Sequence, residues 1–182
     1  MEIITERLRL APLNEQYLQT AFAYGGDPKN TKYMVFLPFL SLEETREFLR
    51  ACEQEWEKTQ PTAYEFAVLL NGVHIGGVSL YLNEARDTGE LGWILHPEHQ
   101  GRGYAAEATR ALMDFAVTRL SVQRFEAHCD TKNLPSRRVM EKLGMRLISR
   151  TGGRKNRGSD EERQEYLYAL DARDVQRDAS SC

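Results

Sequence analysis

Residues Glu90 to Met113 constrain this chain more than any other stretch, because they dictate an order of elements and not only a composition. Glu90 to Leu95 is a short apolar run of large side chains, long enough for a buried strand. His96-Pro97-Glu98-His99-Gln100 ends it: proline has no N–H for a ladder, and polar residues favour a surface loop. Beyond Tyr104, the residues Ala105, Ala108, Leu112, Phe115 and Ala116 fall on one helical stripe. The order is strand, glycine-bearing loop, helix. The first N–H groups of such a helix have no partner within it, and the dipole places partial positive charge there. Gly101 and Gly103 let main chain approach an anion closely, so the unit reads as a phosphate seat.

Three phosphate-binding motifs compete for it. Gly101-x-Gly103-x-x-Ala106 fits the dinucleotide fingerprint, with Glu126 near the position, roughly 20 residues on, of a ribose-binding acid. Against that, a polar loop separates the strand from the first glycine, where the fingerprint wants a tight turn. A nucleotide-hydrolase P-loop is excluded, because no Gly-Lys-Ser/Thr follows the glycines. The third is Gln-x-x-Gly-x-Ala, here Gln100, Gly103 and Ala105, which resembles the pyrophosphate loop of the GNAT superfamily of N-acetyltransferases.

The pattern downstream favours the third. Val122 to Asp130 alternates as a strand, with Arg124, Glu126 and His128 on the side opposite Phe125, Ala127 and Cys129. A helix follows, with Pro135 suited to its first positions, a stripe of Val139, Met140 and Leu143, and Gly144 as C-cap. Asn133-x-x-Ser136-x-x-Val139-x-Glu141-Lys142-Leu143-Gly144 resembles the second coenzyme A motif of that superfamily, in its branch of ribosomal-protein N-terminal (Rim-type) acetyltransferases. Thr5-Glu6-Arg7-Leu8-Arg9-Leu10 resembles the opening strand of the same branch.

The remaining pattern is consistent with an α/β (α+β) domain. Strands are expected over 2–10, 63–70, 73–82, 90–95, 122–130, 146–150 and 164–170, the second and third joined by Asn71-Gly72, a strong hairpin signal. Asn14 is placed to cap a helix to Tyr24, and Ser41-Leu42-Glu43-Glu44 forms a capping box for a helix to Lys58. The resemblance implies a GNAT-like central mixed, mostly antiparallel sheet of about six to seven strands with about four helices. Residues 1–170 read as a single acetyltransferase domain, 152–160 as a basic glycine-rich loop, and 171–182 as a polar C-terminal tail. The apolar run Met34 to Leu40 reads either as a loop covering the core or as a wall of the acceptor groove.

What the resemblance implies about chemistry is acetyl transfer from acetyl-CoA, a co-substrate, to a primary amine. Backbone N–H groups of Gly101, Arg102, Gly103, Tyr104 and Ala105 are expected to cradle the pyrophosphate, with Gln100 positioning the loop and Arg102 adding charge or lying solvated. Main-chain atoms of Ile94 and Leu95 are expected to pair with the pantetheine arm, where an N–H also polarises the thioester carbonyl. Asn133 is expected to bond that arm. Ser136 is the candidate acid for the leaving thiolate, since the superfamily's usual tyrosine position is Met140 here. Glu90 is the candidate base: partly enclosed beside apolar groups, its carboxyl would be raised toward neutral pH. Glu126 is its rival, and each of these polar residues also has an ordinary reading as a cap or a solvated side chain.

Composition narrows the setting. A formal charge of -3 and a pI near 5.9 give no general attraction for nucleic acid or an anionic membrane. No apolar run approaches the ~20 residues that cross a bilayer. Cys52, Cys129 and Cys182 are odd in number and widely spread, which fits free thiols in a cytoplasmic protein, and the four histidines make no metal-ligand spacing with them. The expected partners are acetyl-CoA and an amine acceptor, a protein N-terminus or a small amine, with the chain a monomer or homodimer. Two other readings stay open: a non-catalytic acyl-CoA sensor, and an RNA or ribosome module using the basic segment from Arg146 to Arg157.

Overall fold

Asn71 and Gly72 sit at φ 50° and 82°, the left-handed region both tolerate, and turn β3 (Ala63–Leu70) directly into β4 (Val73–Leu82) with Leu70 opposite Val73. This hairpin is the middle of an eight-stranded sheet in a computed structural model that describes residues 1–179. Before it come β1 (Ile3–Ile4) and β2 (Leu8–Pro12); after it come β5 (Thr88–Leu95), β6 (Arg124–Asp130), β7 (Arg146–Lys155) and β8 (Glu162–Asp171). The order is β1-β2-β3-β4-β5-β6-β8-β7, antiparallel throughout except for β5 against β6.

The eighth strand comes from residues 2–10, which are two strands and not one. Thr5 N–H donates to Leu8 O at 2.9 Å and Leu8 N–H donates to Thr5 Oγ1 at 2.9 Å, so the threonine closes a turn that sets Ile3 opposite Leu10. Alternation of side chains survives such a fold-back, which is why the pattern reads as one strand. The 152–160 stretch also differs from its expectation. β7 continues to Lys155 through an irregularity between Thr151 and Arg154, where Gly153 takes φ 82°. A glycine at positive φ lets an edge strand bulge without ending.

α1 (Leu18–Gly25) follows a 3-10 turn over Glu15–Tyr17 that Asn14 caps, its Oδ1 accepting from Gln16 N–H at 3.0 Å. α2 (Leu42–Trp56) starts where Ser41 Oγ accepts from Glu44 N–H at 3.1 Å; the Glu44 carboxylate reaches one residue further back than a capping box requires, to Leu40 N–H at 2.6 Å. These two helices close over one face of the sheet through Leu13, Ala21, Tyr24, Leu49, Cys52 and Ala67. On the other face lie α3 (Tyr104–Leu120), α4 (Leu134–Lys142) and α5 (Ala172–Ala179), around a core that includes Phe66, Leu80, Leu112, Met113, Phe125 and Met140, each fully buried. Burying a side chain of that size stabilises by roughly 1.5–3 kcal/mol, so this face holds the molecule together.

α5 replaces most of the expected polar tail. Ala172 and Val175 pack into the main core, at 8% and 1% exposure, and two apolar positions are too few to stand out in a charged segment. Residues 180–182, Cys182 among them, lie outside the described residues; Cys52 and Cys129 are buried and free. Among the described residues no helix is long and apolar enough to cross a membrane, and no group of three or more His, Cys, Asp or Glu is arranged to hold a metal ion.

Candidate active site

β5 and β6 are paired only at Thr88–Arg124, Gly89–Phe125 and Glu90–Glu126. Beyond that third pair they part. β5 stays with β4 as far as Leu95 opposite Gly76, and β6 stays with β8 as far as Asp130 opposite Glu165. Each strand keeps one partner, and a wedge-shaped gap with unpaired main chain on both sides opens between them. Successive residues of an antiparallel strand turn their N–H and C=O to opposite sides. Ile94 O lies against Gly76, where an added Cβ would be 2.2 Å away, so the Ile94 carbonyl belongs to the β4 side. Leu95 O accepts from Gln100 Nε2 at 3.0 Å and from Asn30 Nδ2 at 3.1 Å. The alternation therefore leaves the main chain of Trp93 and the N–H of Leu95 on the gap. Of the two residues expected there, Leu95 keeps one free group and Ile94 turns away.

The open end of the gap leads to the glycine loop. Gln100 ties Leu95 O to the loop and donates to Asn30 Oδ1 at 2.7 Å. Gly101 and Gly103 take φ 76° and 84°, and Gly103 is the N-cap of α3. Nothing lies within 4 Å of a Cβ built on Gly101, whereas one on Gly103 would lie 3.3 Å from Lys142 Nζ and 3.6 Å from Arg7 Nη2. Glu107 N–H is bonded to Gly103 O, so the N–H groups of Tyr104, Ala105 and Ala106 face out of the first helical turn. Lysine from the end of α4 and arginine from the β1–β2 turn thus converge on a helix N-terminus beside exposed Arg102. Arg7 is held there by Glu107 (Nε to Oε2 2.7 Å), by Arg102 O (3.2 Å from Nη1) and by the Tyr104 ring 4.6 Å away. Neither Arg7 nor Lys142 is assigned a role by the local sequence motifs, since only the tertiary fold brings them to the loop.

α4 begins just past the open end of β6. Asn133 Oδ1 accepts from Ser136 N–H at 3.2 Å, so this asparagine caps the helix, and its Nδ2 and the Ser136 hydroxyl have no hydrogen-bond partner among the described residues. Met140 is fully buried in the core and offers no group to the gap. Glu90 sits at the closed end, level with Glu126, past which β6 runs four more residues, roughly 13 Å. It is exposed, not enclosed beside apolar groups, because its side of β5 faces away from the core that Leu91 and Leu95 enter. It has no ion-pair partner among the described residues, whereas Glu126 accepts from Arg124 Nε at 2.9 Å.

Around Glu90 the α1/α2 face of the sheet is polar. Tyr81, its neighbour on β4, donates its hydroxyl to Glu65 on β3. Burial pushes the Glu65 carboxyl up to about 7 against the opposing pull of that bond. Past the gap, His128 Nδ1 and Glu165 Oε1 are 2.9 Å apart, and Glu165 pairs with Arg154, whose Nη2 donates to Tyr33 O at 2.9 Å. Tyr33 opens the apolar segment between α1 and α2. Phe39 is buried at Gly25, while Phe36 and Leu40 stand 82% and 73% exposed. Arg157 clamps the segment to the β7–β8 turn, its N–H on Met34 O at 3.0 Å and its Nη1 on Phe36 O at 3.2 Å. A concavity of about 550 Å³ lies beyond the closed end of the gap between Asp87, Gln123, Arg124 and Asp171, away from the glycine loop.

Comparison with known proteins decides the family. Residues 7–146 match the acetyltransferase (GNAT) domain. The chain belongs to the GNAT family. Among its relatives is YnaD of Bacillus subtilis (strain 168), named an uncharacterized N-acetyltransferase, 30% identical over 148 residues that span 80% of this chain and 83% of that one. A GNAT-family acetyltransferase from Bacillus anthracis has a crystal structure matching at TM-score 0.82 and 28% identity, over 95% of this chain and 99% of that one. RimL, a ribosomal L7/L12 alpha-N-protein acetyltransferase solved in complex with coenzyme A, shares the fold at TM-score 0.81 and 19% identity, over 94% and 98%. As a GNAT acetyltransferase the chain is an acyltransferase that uses acetyl-CoA as donor.

Proposed function

We propose that this GNAT chain moves the acetyl group of acetyl-CoA to the N-terminal α-amine of a polypeptide, in one ternary complex and without a covalent acyl-enzyme. The observation that carries the reading is the gap between β5 and β6, which runs straight into a helix N-terminus with two positive-φ glycines and converging cations. In this reading the N–H groups from Gly101 to Ala105 hold the diphosphate, with Arg102 and Lys142 adding charge. The pantetheine arm lies along the gap as a short strand would, paired to Trp93 and Leu95 on one side and bonded by Asn133 Nδ2 near the open end. The Leu95 N–H or Trp93 N–H polarises the thioester carbonyl. Ser136 gives a proton to the leaving thiolate. Glu90, with no ion-pair partner among the described residues, supplies negative charge at the closed end that draws an ammonium group to the gap.

A polypeptide acceptor is supported by the clamped segment over the same face, whose Phe36 and Leu40 offer apolar surface that a small amine would not need. The test is calorimetry with coenzyme A, then thiol release against N-terminal peptides, polyamines and amino acids. Peptide turnover is the expected result. Absence of coenzyme A binding, or equal binding after bulky substitution of both Gly101 and Gly103, overturns the reading of the loop. Turnover of small amines alone overturns the acceptor.

A further inference from the structure

Resting on the acetyl-transfer reading, we propose that His128 Nε2 is the proton acceptor for the attacking amine, and that Glu165, itself held by Arg154, is the positioning residue that keeps the imidazole in the form able to accept. Glu90 and Glu126 are the last pair of the parallel ladder, so two residues further along each strand bring Gly92 and His128 level across the gap. Both lie on the α1/α2 face, with Glu90 and Glu126. Gly92 contributes no side chain there, and a Cβ on it would meet Ser79 Oγ at 2.4 Å, so the β5 side at this level is kept clear. The side chain facing that space from β6 is an imidazole, midway between the closed end at Glu90 and the open end that leads to Asn133 and Ser136.

The imidazole is oriented in the manner of a base. Its Nδ1 is 2.9 Å from Glu165 Oε1, and Nε2 has no hydrogen-bond partner among the described residues. A carboxylate bonded to a guanidinium accepts hydrogen bonds and does not donate them, so Glu165 places the proton on Nδ1 and leaves the lone pair on Nε2. Arg154 fixes Glu165 in turn: its side chain is only 8% exposed, it reaches Tyr33 O, and its Nε donates to Asn156 Oδ1 at 2.9 Å. Base, orienting carboxylate and anchored cation come from three adjacent strands, β6, β8 and β7. Nucleophile activation elsewhere in enzymology uses the same arrangement of a base held by a third group.

The neutral amine attacks the thioester carbonyl carbon and the N–C bond forms. The positively charged nitrogen of the tetrahedral species loses one proton to His128 Nε2, directly or through one water. The C–S bond breaks, and the thiolate takes a proton from Ser136 Oγ, which is replaced from solvent. His128 then returns its proton to solvent. The charged groups on the face His128 occupies are Glu165 from β8, Arg154 from β7, Glu126 with its partner Arg124 on β6, Asp130 on β6 with its partner Arg163 from β8, and Glu90 from β5. All belong to the pH behaviour of the site.

Two measurements on the full chain test this. Nitrogen-15 NMR of the histidine side chains at pH 8 should show one ring protonated at Nδ1 and bare at Nε2, with that signature absent in H128Q and lost in E165Q. Protonation at Nε2, alone or together with Nδ1, of the ring whose signal H128Q removes overturns the proposal without reference to any acceptor. In turnover, H128Q should lower kcat by roughly 10²-fold or more, leave the acetyl-CoA KM within about twofold, and remove the acid limb of the pH profile. E165Q should lower kcat less and displace that limb. An H128Q enzyme with unchanged kcat and acid limb overturns the proposal while acetyl transfer stands; a wild-type chain that binds no coenzyme A removes both readings together.

Discussion

Gln100 donates from Nε2 to Leu95 O at 3.0 Å, so the first residue of the glycine loop is bonded to the last residue of the strand that precedes it. The same carbonyl accepts from Asn30, and Gln100 also donates to Asn30 Oδ1, which closes a three-residue ring between β5, the loop and the segment after α1. The loop is therefore set before any ligand arrives. Q100A should leave Leu95 O one donor from Asn30 and lose about 1 kcal/mol of loop ordering. Calorimetry should read this as coenzyme A binding roughly fivefold weaker, with an unfolding midpoint close to that of the parent.

Glu107 ties the β1–β2 turn to α3. It accepts from the Thr5 hydroxyl at 2.6 Å, from Arg7 N–H at 3.0 Å and from Arg7 Nε at 2.7 Å. Burial raises its carboxyl, and the bonds from Thr5 and Arg7 outweigh that, so the net direction is down. The half-exposed ion pair alone contributes little; the bonds to a backbone N–H and a hydroxyl are the larger part. E107A should cost about 1–2 kcal/mol in chemical denaturation and release Arg7 from its place beside Gly103. An unchanged denaturation midpoint together with unchanged coenzyme A affinity would show that the turn holds itself.

How much of this site is legible in the chain follows the range of each interaction. The strand, loop and helix from Glu90 onward, and the capped helix from Asn133, depend on neighbours within a few residues, and their patterns survive in one dimension. The gap does not. It exists because β5 pairs with β4 and β6 with β8 for longer than they pair with each other, and no local pattern records where a ladder stops. That is why Ile94 is expected on the gap while alternation puts Trp93 there. Arg7 and Lys142 reach the glycine loop from positions far apart in sequence, and Glu165 meets His128 through the β6–β8 register. The alternation of Arg124, Glu126 and His128 is visible in the sequence; what each would face is not. Val175 buries a helix that reads as a polar tail for a simpler reason: two apolar residues make no periodicity.

Ser136 and Glu90 separate by kinetics. Ser136 has no partner for its hydroxyl among the described residues, so S136A removes a proton donor and little packing; kcat should fall by roughly 10²-fold with the acetyl-CoA KM unchanged. Glu90 is exposed and has no ion-pair partner among the described residues, so E90Q removes charge at the closed end of the gap. Its expected mark is a several-fold rise in the KM of a cationic acceptor that weakens as salt is added. Full turnover in both variants would remove these two residues from the mechanism and leave the fold as it is.

Glu65 gives the protein a pH-dependent stability. Its carboxyl is raised by burial from 4.5 to about 7, while the Tyr81 hydroxyl bonded to it pulls the other way. A carboxyl with a higher pKa folded than unfolded holds its proton more tightly in the folded state. That contribution is fully present below the unfolded value near 4.5 and is lost as pH rises through about 7. At 1.36 kcal/mol per pH unit the loss is on the order of 3 kcal/mol. Denaturation at pH 5, 6, 7 and 8.5 should therefore show stability falling across the first three and levelling off after them. E65Q keeps an acceptor for Tyr81 and carries no charge, so its profile should be flatter over the same window and its stability should exceed the parent's at pH 8.5. A parent whose stability rises from pH 5 to pH 7, with E65Q following it, would mean that the carboxylate at Tyr81 is solvated and ionised throughout.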